Sequence, residues 1–362
     1  MTLTGAIIRP YQIGPLLGKG SYGDIYAARN TEDGTFVAIK IESLTSERKV
    51  LETEAYIMRK ISKFTFFPKY ITFGKTQNNT FLVMELCGPS LSYVIKNLPE
   101  HKLSLSTGIR TMYIVMQGLE QLHHAGIIHR DVKPSNVLLR TSISNPIAII
   151  DFGLSRVFID KWTKKQLPPR QNPGFRGTTI FASPHAHLHQ ELSPRDDLIS
   201  WYYMCIDLIV EPLPWRNIKN RADILEKKLS TNLMELGTEI APQFQLIWRH
   251  ITTLNYEDTP DYNYIYKLLE EVMRANNINM MDPFDWNHNI LKVVPTENES
   301  LPRSSLSSEA SVHEVEKIDP EPQTQYNQID PTPLIAVKSS KADAVYTTAC
   351  EAEDKCCCCL LV

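Results

Sequence analysis

His129-Arg130-Asp131-Val132-Lys133-Pro134-Ser135-Asn136, followed by Asp151-Phe152-Gly153, decides how this chain is read. Asn136 stands five residues after Asp131, and Asp151 fifteen after Asn136. This span supplies a carboxylate that can orient a hydroxyl and an ammonium for an anionic group. It also supplies two oxygen donors suited to a hard cation. One such residue alone carries little weight; the ordered set describes a reaction.

That reaction is phosphoryl transfer from a metal-bound nucleotide, in which the protein mainly positions groups and neutralises charge. Asp131 is the candidate base and orienter of the attacking hydroxyl. Lys133 would neutralise charge on the γ-phosphoryl group. Asn136 and Asp151 are hard-oxygen ligands for Mg²⁺, with waters and phosphates completing the shell.

Upstream, Leu17-Gly18-Lys19-Gly20-Ser21-Tyr22-Gly23-Asp24-Ile25 lies between two predicted strands. Glycines at 18, 20 and 23 let a backbone approach phosphate oxygens without a Cβ in the way. A plain glycine-rich hairpin is the alternative. A dinucleotide-binding loop would need a helix after it, whereas residues 25–29 continue as a strand, which favours a flap over nucleotide phosphates. Val37-Ala38-Ile39-Lys40 ends an apolar strand 17 residues after Gly23. Lys40 either points to solvent or pairs with an acid of the next helix, facing the α- and β-phosphates. Glu54 fits that pairing better than Glu52, because it leads into Ala55-Tyr56-Ile57-Met58 in the apolar pattern. The alternating His185, His187 and His189 lack a further Cys or His at ligand spacing and read as a polar loop rather than a metal site.

The 362 residues are 43% hydrophobic and 22% charged, ordinary for a soluble globular protein with room for two or three domains. The net charge of −3 gives no reason to expect nucleic acid. It hides a split: from 293 onward five Lys/Arg face twelve Asp/Glu, while the rest of the chain is mildly basic. Cys87 and Cys205 sit in apolar contexts, and the other five cysteines lie at 350 and 356–359. With no basic, apolar leader after Met1, this usage suits a reducing, cytoplasmic compartment without structural disulfides. No apolar run approaches the ~20 residues of a membrane-spanning helix.

Residues 11–17, 24–29, 35–42 and 81–86 have strand character, and 46–61 carries a helical stripe of Val50, Leu51, Ile57, Met58 and Ile61. After the breaker pair Gly88-Pro89 the pattern turns helical over 91–97, 107–125, 198–210, 222–229, 244–254 and 262–276. The expectation is a small β-rich lobe followed by a larger α-rich one. Residues 293–355, with six prolines and no sustained period, read as a disordered acidic tail.

These motifs in this order resemble the eukaryotic protein kinases across about 11–292. The resemblance implies an α+β bilobal kinase fold, with an N-lobe of about 11–86 and a C-lobe of about 87–292. It also implies ATP and Mg²⁺ as cofactors, protein substrates and a monomeric catalytic domain. Lys133 is similar to the serine/threonine type. Phe175-Arg176-Gly177-Thr178-Thr179-Ile180-Phe181-Ala182-Ser183 stands where most kinases carry Ala-Pro-Glu. With Asp196-Asp197-Leu198 and Leu213-Pro214-Trp215-Arg216 it resembles the casein kinase 1 superfamily, and Pro214-Trp215-Arg216-Asn217-Ile218-Lys219 is similar to its tau-tubulin kinase branch.

By the same resemblance, Met84-Glu85-Leu86-Cys87-Gly88-Pro89-Ser90-Leu91 is the hinge. Met84 would gate the adenine pocket, and the backbone of Glu85, Leu86 and Cys87 would pair with adenine. Leu17, Ile25, Ala38, Leu138 and Ile150 would line the pocket. Thr178 would support Asp131 and Lys133, and Asp197 would brace the catalytic loop. Two positions depart from the family: Ile180 stands where an arginine usually helps hold an acidic or phosphorylated substrate, and Pro184-His185 replaces a usual Ile-Asn. Lys161, Lys164, Lys165, Arg170 and Arg176 still make the segment basic, as an acidic substrate or merely a solvated face would have it.

The chain ends Cys356-Cys357-Cys358-Cys359-Leu360-Leu361-Val362. Cys359-Leu360-Leu361-Val362 fits a prenylation box, with Cys356, Cys357 and Cys358 as candidates for S-palmitoylation. Two lipids give stable anchoring where one does not, so the expected partner is a membrane. Palmitoylation alone and a metal-binding cysteine cluster are the alternatives. Ser304, Ser305, Ser307, Ser308 and Ser311 include pairs spaced by three, an interval this family often reads, so tail autophosphorylation is a further expectation alongside chance spacing.

Overall fold

A computed structural model describes residues 3–20, 23–142, 144–286, 312–313 and 316–320. The first lobe is built from β1 (Ile7–Ile8), β2 (Tyr11–Gly20), β3 (Gly23–Asn30), β4 (Phe36–Ser43), α1 (Leu51–Ile61), β5 (Tyr70–Lys75) and β6 (Asn79–Glu85). Register gives its sheet two different faces. Ile25 pairs with Lys40 and Lys40 with Leu82, while Ala27 pairs with Ala38 and Ala38 with Met84. Directly opposed residues share a face, so Ile25, Ala38, Lys40 and Met84 all look the same way. On the other face Tyr26, Ala28, Val37, Ile39 and Val83 form a separate small core with Ile8, Tyr11 and Ile13.

Helix α1 begins at Leu51, later than the expected 46. The buried Glu42 carboxylate accepts hydrogen bonds from the N–H groups of Val50 (3.0 Å) and Leu51 (3.4 Å). A side chain from β4 thus satisfies donors that open the helix, and residues 46–50 are left outside it. Leu51, Ile57, Met58 and Ile61 are buried as the stripe requires.

The second lobe follows with α2 (Leu91–Asn97), α3 (Leu105–His124), β7 (Ile127–Ile128), β8 (Val137–Leu139), β9 (Ile147–Ile149), β10 (Arg156–Val157), α4 (Pro184–His187), α5 (Pro194–Ile209), α6 (Arg221–Ser230), α7 (Leu233–Thr238), α8 (Gln243–Thr252) and α9 (Tyr262–Ala275). Of α5, only Arg195 is not buried, and its buried polar residues include Asp196, Asp197 and Asp207. Its first turn is closed by Asp196, whose carboxylate accepts from the Ser193 backbone N–H at 2.9 Å. Trp201 on α5 donates from Nε1 to the Met112 carbonyl of α3 at 2.9 Å.

Two further strands, β11 (Val312–His313) and β12 (Glu316–Lys317), fall inside the stretch read as structureless. They lie at the two ends of an eight-stranded sheet of order β11-β1-β2-β3-β4-β6-β5-β12. Two-residue strands leave no period to read, which is why the sequence pattern passes over them. Apart from 312–313 and 316–320, the tail residues, with the serine run and Cys356, Cys357, Cys358 and Cys359, lie outside the described residues. Among the described residues, Cys87 and Cys205 are free and buried, and no helix is long and apolar enough to cross a membrane.

Candidate active site

The catalytic loop between β7 and β8 is held from below. Asp197, buried in the first turn of α5, accepts from the backbone N–H of His129 (2.6 Å) and Arg130 (2.8 Å). His123 of α3 bridges Asp197 (2.9 Å) and the Tyr262 hydroxyl of α9 (2.5 Å). Arg130 sits at φ 66°, and a Cβ on Gly177 would come within 2.6 Å of the Arg130 carbonyl oxygen. Only glycine fits there, at φ 99°.

The loop presents Asp131 between three donors. Lys133 Nζ reaches Asp131 Oδ2 at 2.6 Å and Thr178 Oγ1 at 2.8 Å, and the Thr178 hydroxyl donates to Asp131 Oδ1 at 2.8 Å. Asn136 Nδ2 donates to the Asp131 carbonyl at 2.9 Å. A carbonyl only accepts, so the Asn136 amide is turned with its NH₂ inward and its oxygen outward. Asp151, at φ 69° and about one-third exposed, offers a carboxylate held ionised. Burial works against its charge, but Lys40, then His129 and Lys133, bring its pKa below the usual carboxylate range. One amide oxygen and one ionised carboxylate form a donor set that fits Mg²⁺ sharing its shell with phosphates and water.

From the first lobe, Lys40 Nζ lies 2.6 Å from Glu54 Oε2 and 3.4 Å from Asp151 Oδ1. Glu54, not Glu52, is thus the partner the fold selects. Burial alone would strip the Lys40 proton, yet the carboxylates of Glu54 and Asp151 raise its pKa. Burial pushes the Glu54 carboxyl up in its turn; with an ammonium at 2.6 Å, the ionic pair is the form the geometry requires. Glu54 also accepts from the Phe152 backbone N–H. The Phe152 ring packs edge-on against Phe67 at 5.6 Å and near His129 at 5.5 Å.

Gly18, Gly20 and Gly23 occupy the β2–β3 hairpin, where Gly18 pairs with Ile25 and Gly20 with Gly23. Nothing lies within 4 Å of a Cβ built on Gly18, so that face is open to a ligand. Leu17 is largely exposed, whereas Ile25, Leu138 and Ile150 are half-buried and Ala38 and Met84 buried. Among the described residues, the backbone N–H groups of Leu86 and Cys87 have no backbone partner, as a hinge that pairs with a base requires. The Glu85 side chain is taken by Arg140, which binds both its oxygens at 2.7 and 2.8 Å.

The sequence reading does not anticipate the arginine cluster below the activation segment. Glu191 accepts from Arg156 at 2.8 Å and from Arg170 at 2.5 and 3.1 Å. Arg130 lies among them with its Nε on the Leu154 carbonyl. Burial, then the like charges of Arg170 and Arg156, push its pKa down to about 9. His185 bonds Asp196 at 2.8 Å, and His187 faces the Thr179 carbonyl at 3.2 Å.

The two-lobed fold with this loop and ion pair is that of a protein kinase, and the protein kinase domain family model matches residues 11–278. The chain belongs to that family. It is 35% identical over 272 residues to a probable serine/threonine-protein kinase of Dictyostelium discoideum, a match covering 75% of this chain and 55% of the relative. It is 32% identical over 280 residues to the serine/threonine-protein kinase spe-6 of Caenorhabditis elegans, covering 75% of this chain and 74% of that protein. The chain thus spans about half the length of the first relative and about three quarters of the second.

Proposed function

We propose that the chain is an active serine/threonine protein kinase of the casein kinase 1 type, in its tau-tubulin kinase-like branch, with the catalytic domain at 11–292. The observation that carries the reading is Asp131, fixed through both oxygens by Lys133 and Thr178 while Lys40, Glu54 and Asp151 are assembled. Two relatives bear the name serine/threonine-protein kinase.

When bound, Mg-ATP supplies the phosphoryl group and part of the charge neutralisation. Asn136 and Asp151 would hold the metal. Lys40, kept in place by Glu54, orients the α- and β-phosphates. Asp131 accepts a hydrogen bond from the substrate hydroxyl and takes its proton as transfer proceeds, and Lys133 offsets charge on the moving group. Thr178 holds Asp131 Oδ1 while Lys133 holds Oδ2, so the carboxylate has one productive orientation.

The preference we assign is for acidic or phosphorylated protein substrates. Arg156 and Arg170 share a single carboxylate, Glu191, and the Arg130 guanidinium lies beside them, which leaves net positive charge beside the segment. Ile180 adds nothing to it: the side chain packs on the core and its carbonyl accepts from Trp215 Nε1. We further place the protein on the cytoplasmic face of a membrane, held by a prenyl group on Cys359 and acyl groups on Cys356, Cys357 and Cys358. Fractionation of a tagged Cys359→Ser variant tests this; undiminished membrane binding would remove prenylation.

The activity is tested with the full chain and an Asp131→Asn control, measuring transfer from Mg-ATP to a positional peptide library. Transfer abolished in the control is expected, with acidic or phosphorylated residues preferred before the acceptor. Nucleotide binding without transfer would instead mark a scaffold.

A further inference from the structure

The outer edge of the first-lobe sheet is β5, and the chain covers that edge with its own later segment. β12 pairs antiparallel with β5, Glu316 opposite Lys75 and Lys317 opposite Gly74. The Ile318 N–H continues the pairing to the Phe73 carbonyl at 3.2 Å. A Cβ on Gly74 would stand 2.6 Å from the Glu316 carbonyl oxygen, so the close approach depends on glycine there. Ile318 packs against the main core and Pro320 is buried. Asp319 then reaches Arg59 of α1 at 2.7 Å.

Each contact supplies a different part of a docking motif. The backbone pairing covers an edge that would otherwise be open to another chain. Ile318 gives the apolar anchor. The Arg59–Asp319 pair is exposed and contributes little binding by itself, but it fixes which way the segment runs across α1. Since the segment belongs to the same chain, its docking needs only modest affinity.

What it docks against is the helix that carries Glu54. Arg59 lies five residues after Glu54 on α1. Glu54 fixes Lys40 and receives the Phe152 N–H. We propose that residues 316–320 form an intramolecular brace that sets the position of α1 and so the Lys40–Glu54 pair. The occupied edge makes the brace activating, and release of the segment loosens the ammonium that orients the phosphates. This rests on the kinase reading for its effect on turnover, though not for its effect on α1.

The test uses the full chain with Ile318→Asp, and Ile318→Val as the conservative control. Hydrogen exchange is followed over 51–61 and 70–75, and kcat/KM is measured on a peptide taken from the library. For Ile318→Asp we expect exchange in both stretches to rise about tenfold and kcat/KM to fall about tenfold, the change that 1.4 kcal/mol gives. Ile318→Val should match the parent in both. Unchanged exchange at 70–75 would show that the segment does not dock. Faster exchange there, with 51–61 unaltered, would show docking without bracing. A rise in kcat/KM would show restraint rather than support. Parent exchange at 70–75 that slows as protein concentration rises would place another copy's segment on the edge, overturning the intramolecular form. If the parent transfers no phosphate, the kinase reading fails while exchange over 51–61 still decides the brace.

Discussion

The two halves of the active site are held by different means. Asp131 rests on backbone groups bound by Asp197, which is bound by His123 and through it by Tyr262, so three helices stand behind one loop. Lys40 meets Glu54 and Asp151 only where β4, α1 and the segment after β9 converge. The first half is fixed by the core of one lobe. The second exists only while a single helix, itself flanked by an edge strand and the 316–320 segment, keeps its place. Catalytic geometry is built in, and phosphate orientation is conditional.

The most severe break should come in the fixed half. Asp131→Asn removes the proton acceptor, and kcat should fall by about 10²–10⁴-fold. Nucleotide affinity, which depends on the other half, should stay close to the parent's. Equal losses in both would mean the two halves act as one unit, and steady-state kinetics with an equilibrium nucleotide titration separates these outcomes.

Next comes the conditional half. Glu54→Gln leaves Lys40 buried with only Asp151 at 3.4 Å, and an uncompensated buried charge costs about 3 kcal/mol. Urea unfolding should show a loss of that order, with nucleotide affinity falling as well. A Lys40→Met/Glu54→Leu double variant removes both charges and should regain most of the stability while remaining inactive. Recovery of activity in the double variant would break the comparison, since it would make the pair structural rather than orienting.

How much of this was legible follows from sequence distance. Asp131, Lys133 and Asn136 are neighbours, so their shared role is visible at a glance. Glu54 is favoured over Glu52 because it leads into Ala55-Tyr56-Ile57-Met58 in the apolar pattern of α1. By contrast, Glu191 takes up Arg156 and Arg170 from 35 and 21 residues away, with no period to announce it. Arg140 binds Glu85 across 55 residues, so a position read as hinge backbone also carries a structural carboxylate. The start of α1 at Leu51 is hidden from the local pattern because its donors are satisfied from another strand, by Glu42. The 316–320 segment was invisible because strand addition needs backbone and one apolar side chain, not a pattern.

A buried lysine beyond Thr178 adds a titratable point to the support behind the fixed half, and it gives the smallest effect. Lys228 of α6 is 3% exposed and donates to the carbonyls of Thr179 (2.8 Å) and Ala182 (2.5 Å), tying down the chain just beyond Thr178. Its other neighbours are His187 at 3.2 Å and the rings of Tyr203 and Trp215. Burial pushes its pKa from 10.5 down to about 6. Between those values the unfolded chain binds a proton that the folded chain does not, so stability rises with pH across that window and falls as pH drops toward 6. The two ring faces favour the ammonium and so narrow the window from its lower end; well inside it the slope is about 1.4 kcal/mol per pH unit. Lys228→Met should flatten stability between pH 7 and 9 by that amount, read from urea unfolding at each pH. His187, pushed down to about 4 by burial and then by Lys228, contributes only at lower pH and leaves this window clear. An unchanged slope would mean that Lys228 keeps its proton in the fold, held there by carbonyls and rings alone.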